Sequence, residues 1–190
     1  PILVDAGREN YLGSFGLSQE AHNTIKVDDF KFVPSKHHLF HPDYSDLNND
    51  FKSFVHEDYI KTTFETSCIK RVDKSFSWER ITLIDKKAFK LKDVFICSKK
   101  HVLKLYFHFD NKLKLIKEKK SSFLIKGEDI KAYLTFESNS EIEVKLHNGG
   151  LLRYGWQATE YGKNSPSYTL EVICNFVHTN CEVNCIINWG

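Results

Sequence analysis

Residues 101–110 read HVLKLYFHFD, and this stretch decides the fold. The odd positions from Leu103 to Phe109 are all apolar, whereas the even positions from Val102 to His108 include Lys, Tyr and His. Alternation with a period of two is the pattern of a β-strand that has one face in the core and one face in water. The same alternation recurs in residues 140–149 (SEIEVKLHNG) and 168–176 (YTLEVICNF), so strands are predicted to be the main elements of this chain.

Further apolar runs between turn-forming Asp, Asn and Gly residues extend this prediction along the chain. We predict strands at Ile2–Val4, Thr24–Val27, Lys31–Val33, Ile60–Thr66, Trp78–Ile84, Phe89–Ile96, Phe123–Ile125, Ala132–Phe136 and Cys185–Trp189. The polar segment Pro34–Asp50 lacks periodicity and is predicted to be an exposed excursion. No amphipathic helix of three turns is apparent. With 190 residues, the chain is predicted to be one all-β domain, a two-sheet antiparallel β-sandwich over residues 1–190.

Charge and hydropathy exclude two classes of partner. The 27 Lys and Arg residues nearly balance the 25 Asp and Glu residues, so no global field favours nucleic acid. The basic run Lys112–Lys120 (KLKLIKEKK) interleaves Leu and Ile, which is typical of an exposed edge strand whose lysines oppose edge-to-edge pairing. No segment has the roughly 18 apolar residues that a spanning helix needs, so membrane insertion is not predicted.

The five cysteines have neither the spacing of a metal site nor a dense disulfide pattern. Cys174, Cys181 and Cys185 fall on apolar positions of alternating segments, which favours buried free thiols over disulfides. This usage mildly favours a reducing compartment.

The first 30 residues carry the pattern most relevant to function. A short apolar strand ends at Asp5, a glycine-containing loop follows, and His22 precedes the next strand. A loop between adjacent antiparallel strands can return His22 to the neighbourhood of Asp5. A carboxylate and an imidazole are suitable ligands of Zn²⁺, which generally needs at least one more protein ligand. Spacing alone favours a simpler interpretation, in which Asp5 forms a turn and His22 is packed or hydrogen-bonded.

Four other residues are candidates for the same region. Arg8 and Tyr11 lie in the loop between the two proposed ligands, and Arg8 can bind a substrate carboxylate through paired hydrogen bonds. Tyr161 follows Trp156 closely, and aromatic faces suit sugar rings, although ordinary loop packing is the alternative. Asn23 either orients His22 through an outer contact of the metal site or simply begins the next strand.

The string LVDAG (3–7), followed by Tyr11 and then AHNTIKVDD (21–29), resembles a segment shared by heparinase II/III-like proteins, a superfamily of polysaccharide lyases. Later strands resemble that family in the same order: HEDYIKTTF, SWERITLIDKKAFKLKDVFI, LYFHFD and ATEYGKNSPSYTLEV. The resemblance covers nearly the whole chain, and AHNT after the aspartate is its most specific part.

The resemblance implies a β-sandwich packed against an N-terminal helical toroid, with an acidic, uronate-containing polysaccharide cleaved by β-elimination in the cleft between them. It makes Asp5 and His22 two zinc ligands, places the third in a strand before Pro1, and gives His108 a structural role. The residues that perform the elimination belong to the toroid and to that strand. We therefore expect a fragment without catalytic residues of its own, with weak zinc retention and an apolar patch where the toroid docks.

Two other classes of function remain open. One is a noncatalytic carbohydrate-binding or assembly module, which an independent start at this boundary would support. The other is a cupin-like metal enzyme, which the missing cluster of histidine ligands opposes. The family favours the periplasm or cell envelope, whereas the cysteines leave a cytoplasmic location open.

Overall fold

The computed structural model describes residues 1–4, 21–28, 30, 49–66, 73–149, 154–160, 163–176 and 180–189. Over these ranges the chain forms fourteen strands and no α-helix. In chain order they are β1 (Ile25–Val27), β2 (Asn49–Val55), β3 (Tyr59–Thr66), β4 (Ser77–Asp85), β5 (Ala88–Ile96), β6 (His101–Phe109), β7 (Lys114–Lys119), β8 (Ser122–Lys126), β9 (Lys131–Ser138), β10 (Ile142–Asn148), β11 (Trp156–Glu160), β12 (Lys163–Pro166), β13 (Tyr168–Phe176) and β14 (Asn180–Trp189). None of the described residues belongs to a helix that could span a bilayer.

The strands form two main sheets and a separate hairpin. The smaller sheet has the order β1-β6-β13-β10, and the larger has the order β2-β3-β4-β5-β14-β9-β8-β7. β11 and β12 pair only with each other among the described strands. Neighbouring strands are antiparallel in both sheets. The predicted all-β, two-sheet antiparallel architecture is confirmed.

One apolar core lies between the two sheets. The odd positions of β6 from Leu103 to Phe109 are at most 1% exposed, as their alternation predicts. Leu170, Val172 and Cys174 of β13 continue this layer, and β5 and β14 contribute the facing side chains. The four described cysteines are free and buried, in agreement with the prediction, whereas Cys68 lies outside the described residues.

Several strands differ from the prediction. β2, β11 and β12 were not predicted, and the last two residues of the expected excursion, Asn49 and Asp50, begin β2. Among the described strands β2 pairs only with β3, so its mixed sequence NDFKSFV needs no strict alternation. β14 begins already at Asn180. The rest of the excursion and Lys31–Val33 lie outside the described residues.

The basic run and the second face of β6 test two further expectations. β7 is the outermost strand of the larger sheet and is mostly exposed, which confirms the predicted lysine-rich edge. The second face of β6 was expected to face water; Val102 on that face is 37% exposed, but the prediction is wrong for Tyr106 and His108, which are at most 1% exposed. A cluster of polar contacts described below accounts for their burial.

Candidate functional site

The predicted site region lies along one edge of β6. The backbone of Thr24 accepts a hydrogen bond from the Tyr106 N–H at 3.0 Å, and the Val4 N–H donates to the His108 carbonyl at 2.9 Å. Leu3 also forms a bridge with Phe109. The segment that leads into Asp5 and the segment that follows His22 therefore lie end to end on the same strand edge.

Asn23 joins these two segments. Its Nδ2 donates to the Val4 carbonyl at 2.8 Å, and its Oδ1 accepts from the His108 N–H at 2.7 Å. Along β6, the His108 N–H lies between the Tyr106 N–H, which bonds to Thr24, and the His108 carbonyl, which bonds to Val4. The Asn23 side chain therefore supplies the hydrogen-bond partner that the backbone of a neighbouring strand would otherwise supply. The peptide linking Val4 to Asp5 is thus held by the residue next to His22.

A second anchor reaches Asn23 from the larger sheet. The Arg80 guanidinium donates from Nη1 to the Asn23 carbonyl. Its Nε and Nη2 donate to the two carboxylate oxygens of Asp93 at 2.8 and 2.9 Å. Asp93 is fully buried and also accepts from the Trp78 indole N–H at 2.8 Å. A bidentate pair of this kind fixes both position and orientation, so Arg80 ties the N-terminal motif to the sandwich core.

The proposed metal ligands are only partly covered by the structure. His22 is half-buried, and its carbonyl accepts from the Thr24 N–H at 2.8 Å. Asp5, Arg8, Tyr11 and Tyr161 lie outside the described residues, so their assigned roles stay predictions. Within the part of the chain that the structure describes, no group of three His, Cys, Asp or Glu side chains is close enough to hold a metal ion. His22 is thus one candidate ligand in a set that the described residues do not complete.

The outer face of the smaller sheet carries a polar cluster that the sequence did not reveal, and we call it the outer polar cluster. His108 Nδ1 lies 3.0 Å from the Thr169 hydroxyl on the neighbouring strand. The Glu171 carboxylate lies 3.2 Å from His147 Nε2 and 3.5 Å from the Tyr106 hydroxyl. The register of β6 and β13 places Tyr106 opposite Glu171 and His108 opposite Thr169.

Two further side chains complete the outer polar cluster. Lys104 Nζ lies 3.6 Å from Glu171, and the Tyr154 ring stacks on Tyr106 and packs against His147. Glu171, His108 and Thr169 are almost fully buried. Burial of charged and polar groups is tolerated when they are hydrogen-bonded and paired, which fits a structural role for His108. The sequence pattern that corresponds to this cluster is a set of polar residues at facing positions of β6 and β13. It can be recognised only when the register of the two strands is known.

An exposed apolar surface lies on the β2–β3–β4 end of the larger sheet. Phe51 and Val55 face the same side of the sheet as Ile60 and Ile84, because Val55 pairs with Ile60 and Ile60 pairs with Ile84. Their exposed fractions range from 42% to 72%. Among the described strands, the smaller sheet has four and the larger sheet has eight. We call these four residues the β2–β4 apolar surface.

Comparisons with known proteins agree with this architecture. A family model described as heparinase II/III-like, C-terminal, matches residues 1–174. A heparinase III gene product superposes with a TM-score of 0.76 at 16% identity, covering 100% of this chain and 28% of that protein. Heparan sulfate lyase HepC from Pedobacter heparinus superposes with a TM-score of 0.71 at 15% identity, covering 100% of this chain and 29% of that protein.

The chain spans less than a third of the length of these two proteins, and their low identity shows the shared fold alone. No curated protein matches the chain significantly. The family model nevertheless matches residues 1–174, which include the N-terminal motif, β1 to β12 and most of β13. The chain therefore belongs to the heparinase II/III-like C-terminal family.

Proposed function

We propose that this chain is the β-sandwich part of a longer polysaccharide lyase that cleaves an acidic, uronate-containing polysaccharide by β-elimination. The observation that carries the proposal is the pair of hydrogen bonds that the Asn23 side chain makes with Val4 and His108, which we call the Asn23 clamp. It brings the chain before Asp5 and the chain after His22 together on β6. The family match supports it, as do the names heparinase III and heparan sulfate lyase of the structurally similar proteins, which point to acidic polysaccharides.

We propose that catalysis resides in another part of the longer protein. β-Elimination from a uronate needs a base for the proton next to the carboxyl group, a group that stabilises the enolate, and an acid for the leaving oxygen. The outer polar cluster contains His, Tyr and Glu, but its groups are buried and bonded to each other. We propose that a helical domain supplies the catalytic residues and that this chain alone is inactive.

We propose that Asp5 and His22 hold zinc together with a third ligand from outside this sequence. Zinc in such a set would fasten the sandwich next to the cleft. The Asn23 amide would hold the backbone of both ligand segments, which is the kind of outer support that metal ligands receive in proteins. Because the ligand set is incomplete, the 190-residue chain would bind zinc weakly.

The remaining assignments follow the same model. Arg8, Tyr11 and Tyr161 are proposed to contact the polysaccharide, with Arg8 pairing with a carboxylate. The β2–β4 apolar surface is proposed to contact the helical domain, since exposed apolar patches of this kind mark protein interfaces. We also propose a location in the periplasm or cell envelope.

The test uses the longer protein that contains this chain. Zinc-loaded protein is incubated with a panel of uronate polysaccharides, and unsaturated ends are followed by their ultraviolet absorption. The intact protein is expected to produce them, and the 190-residue chain is not. His22→Ala should lower both zinc content and product formation, whereas the exposed His56→Ala serves as the matched control and should change neither.

Each outcome of this test is informative. Absence of product from the intact protein across the panel contradicts the lyase assignment. Binding without cleavage would instead support the noncatalytic carbohydrate-binding module. Product formation by the 190-residue chain alone contradicts the proposal that catalysis resides elsewhere. Equal zinc content in the His22→Ala and His56→Ala proteins removes His22 from the metal site.

A further inference from the structure

Two cysteines face each other across the sandwich. Cys174 lies on β13 in the smaller sheet, Cys181 lies on β14 in the larger sheet, and both are fully buried. Their Sγ atoms are 3.1 Å apart. A disulfide bond is about 2.05 Å long, so a shift of about 1 Å brings the two sulfurs to bonding distance. Cys174 lies near the end of β13 and Cys181 near the start of β14, close to where the chain passes from one sheet to the other.

The surroundings make the two thiols unequal. A hydrogen bond from the Cys174 thiol lowers the pKa of Cys181, and the Ser140 and Ser138 hydroxyls act in the same direction. The same hydrogen bond, together with burial, raises the pKa of Cys174. The thiolate is the nucleophile in thiol–disulfide exchange. Cys181 is therefore suited to react first and Cys174 to close the bond.

The two other described cysteines differ from this pair. Burial is the main influence on Cys185 and raises its pKa. Burial also raises the pKa of Cys97, whose thiol donates to the Lys99 carbonyl at 2.9 Å. Neither Cys97 nor Cys185 has the sulfur of another described cysteine as a hydrogen-bond partner, so they are internal controls for the pair.

We propose that Cys174 and Cys181 form a disulfide between the two sheets when the chain meets a disulfide donor such as an oxidised thiol oxidoreductase or oxidised glutathione. The Cys181 thiolate attacks one donor sulfur, the donor S–S bond breaks, and a mixed disulfide forms. Cys174 then loses its proton and attacks the Cys181 sulfur, which expels the second donor thiolate. Two protein thiols are oxidised by two electrons, and the donor disulfide is reduced to two thiols that take up the two protons.

The test titrates the chain against mixtures of reduced and oxidised glutathione. Both the native chain and a chain refolded from denaturant in the same mixtures are quenched in acid, alkylated under denaturing conditions, and analysed by intact mass and peptide mapping. Two thiols are expected to be lost together, at a single midpoint of the glutathione titration. The peptides joined by a disulfide should contain Cys174 and Cys181. Cys97 and Cys185 should remain alkylated.

Variants separate the pair from general oxidation. Cys174→Ser and Cys181→Ser should each abolish the two-thiol transition, whereas Cys185→Ser should keep it. In Cys174→Ser, Cys181 should accumulate as a mixed disulfide with glutathione. Peptide mapping of the unaltered chain decides the matter even if a variant fails to fold. A pair that stays reduced in both the native and refolded samples overturns the proposal, and so does a linkage that joins Cys174 or Cys181 to another cysteine.

Discussion

Replacing Asn23 with alanine tests the clamp between the N-terminal motif and β6. The substitution removes the acceptor of the His108 N–H and the donor to the Val4 carbonyl. A buried polar group left without a partner costs about 1 to 3 kcal/mol. Because these two hydrogen bonds are part-buried, water can bond to the freed groups and recover part of the lost free energy. We expect Asn23→Ala to lower the free energy of unfolding by about 2 to 4 kcal/mol for the two groups together.

Equilibrium unfolding in urea measures this change, and Asn139→Ala provides the matched control. Asn139 accepts a hydrogen bond from the Ser140 hydroxyl at 3.5 Å, and its side chain also bonds to two backbone groups, accepting from the Glu182 N–H at 2.8 Å and donating to the Asn180 carbonyl at 3.4 Å. It is exposed, so water can replace both partners. We expect Asn139→Ala to cost less than about 1 kcal/mol.

Hydrogen exchange adds a local measurement to the same experiment. In Asn23→Ala, the His108 amide should exchange faster by a larger factor than the Tyr106 amide, which keeps its backbone partner Thr24. The clamp is refuted if Asn23→Ala costs no more than Asn139→Ala. Equal acceleration of the His108 and Tyr106 amides also contradicts it, because the loss would then be global.

Two further predictions concern buried carboxylates. Asp93→Ala leaves Arg80 and the Trp78 indole without their shared acceptor and should lower the free energy of unfolding in urea by about 3 to 5 kcal/mol. Replacing Arg80 by Met and Asp93 by Leu together should lower it by less. A decrease below about 1 kcal/mol for Asp93→Ala contradicts this prediction. Hydrogen bonds from the Ser75 N–H and hydroxyl lower the pKa of Asp73, so its contribution to stability is present above the unfolded pKa and is lost as the pH falls through the folded pKa. Urea midpoints measured between about pH 7 and about pH 3 should therefore fall more steeply for the unaltered chain than for Asp73→Asn, and parallel curves contradict this.

Alternation was sufficient to predict most of the strands because a sheet with one buried face imposes a period of two on its sequence. It failed where that constraint is weak. β2 lies at the edge of the larger sheet and exposes Phe51 and Val55, so its sequence does not separate two faces. It also failed on the second face of β6, where polar residues are buried by contacts with β13 and Tyr154 rather than hydrated.

The meeting of the two N-terminal segments could be predicted from the sequence, but the contacts that hold them together could not. The motif around Asp5 and His22 indicated where two chain segments meet, and the structure places Val4 and Asn23 together there. The anchors themselves come from distant positions, since Asn23 is 57 residues from Arg80 and 85 residues from His108. No local pattern reports such pairings, because they depend on sheet register and on which sheets face each other.

Arginine at position 80 matters because its one side chain hydrogen-bonds to both the Asp93 carboxylate and the Asn23 carbonyl. The guanidinium places Nε and Nη2 on Asp93 and directs Nη1 at the Asn23 carbonyl, so a single planar group connects the buried carboxylate with the N-terminal motif. A lysine carries the same charge but only one nitrogen, and it cannot reproduce this fork. Arg80 therefore ties the Asn23 carbonyl to the rigid strands of the larger sheet, while the Asn23 side chain is held by Val4 and His108. Such support from regular elements is what a binding site needs in order to hold its ligands in place.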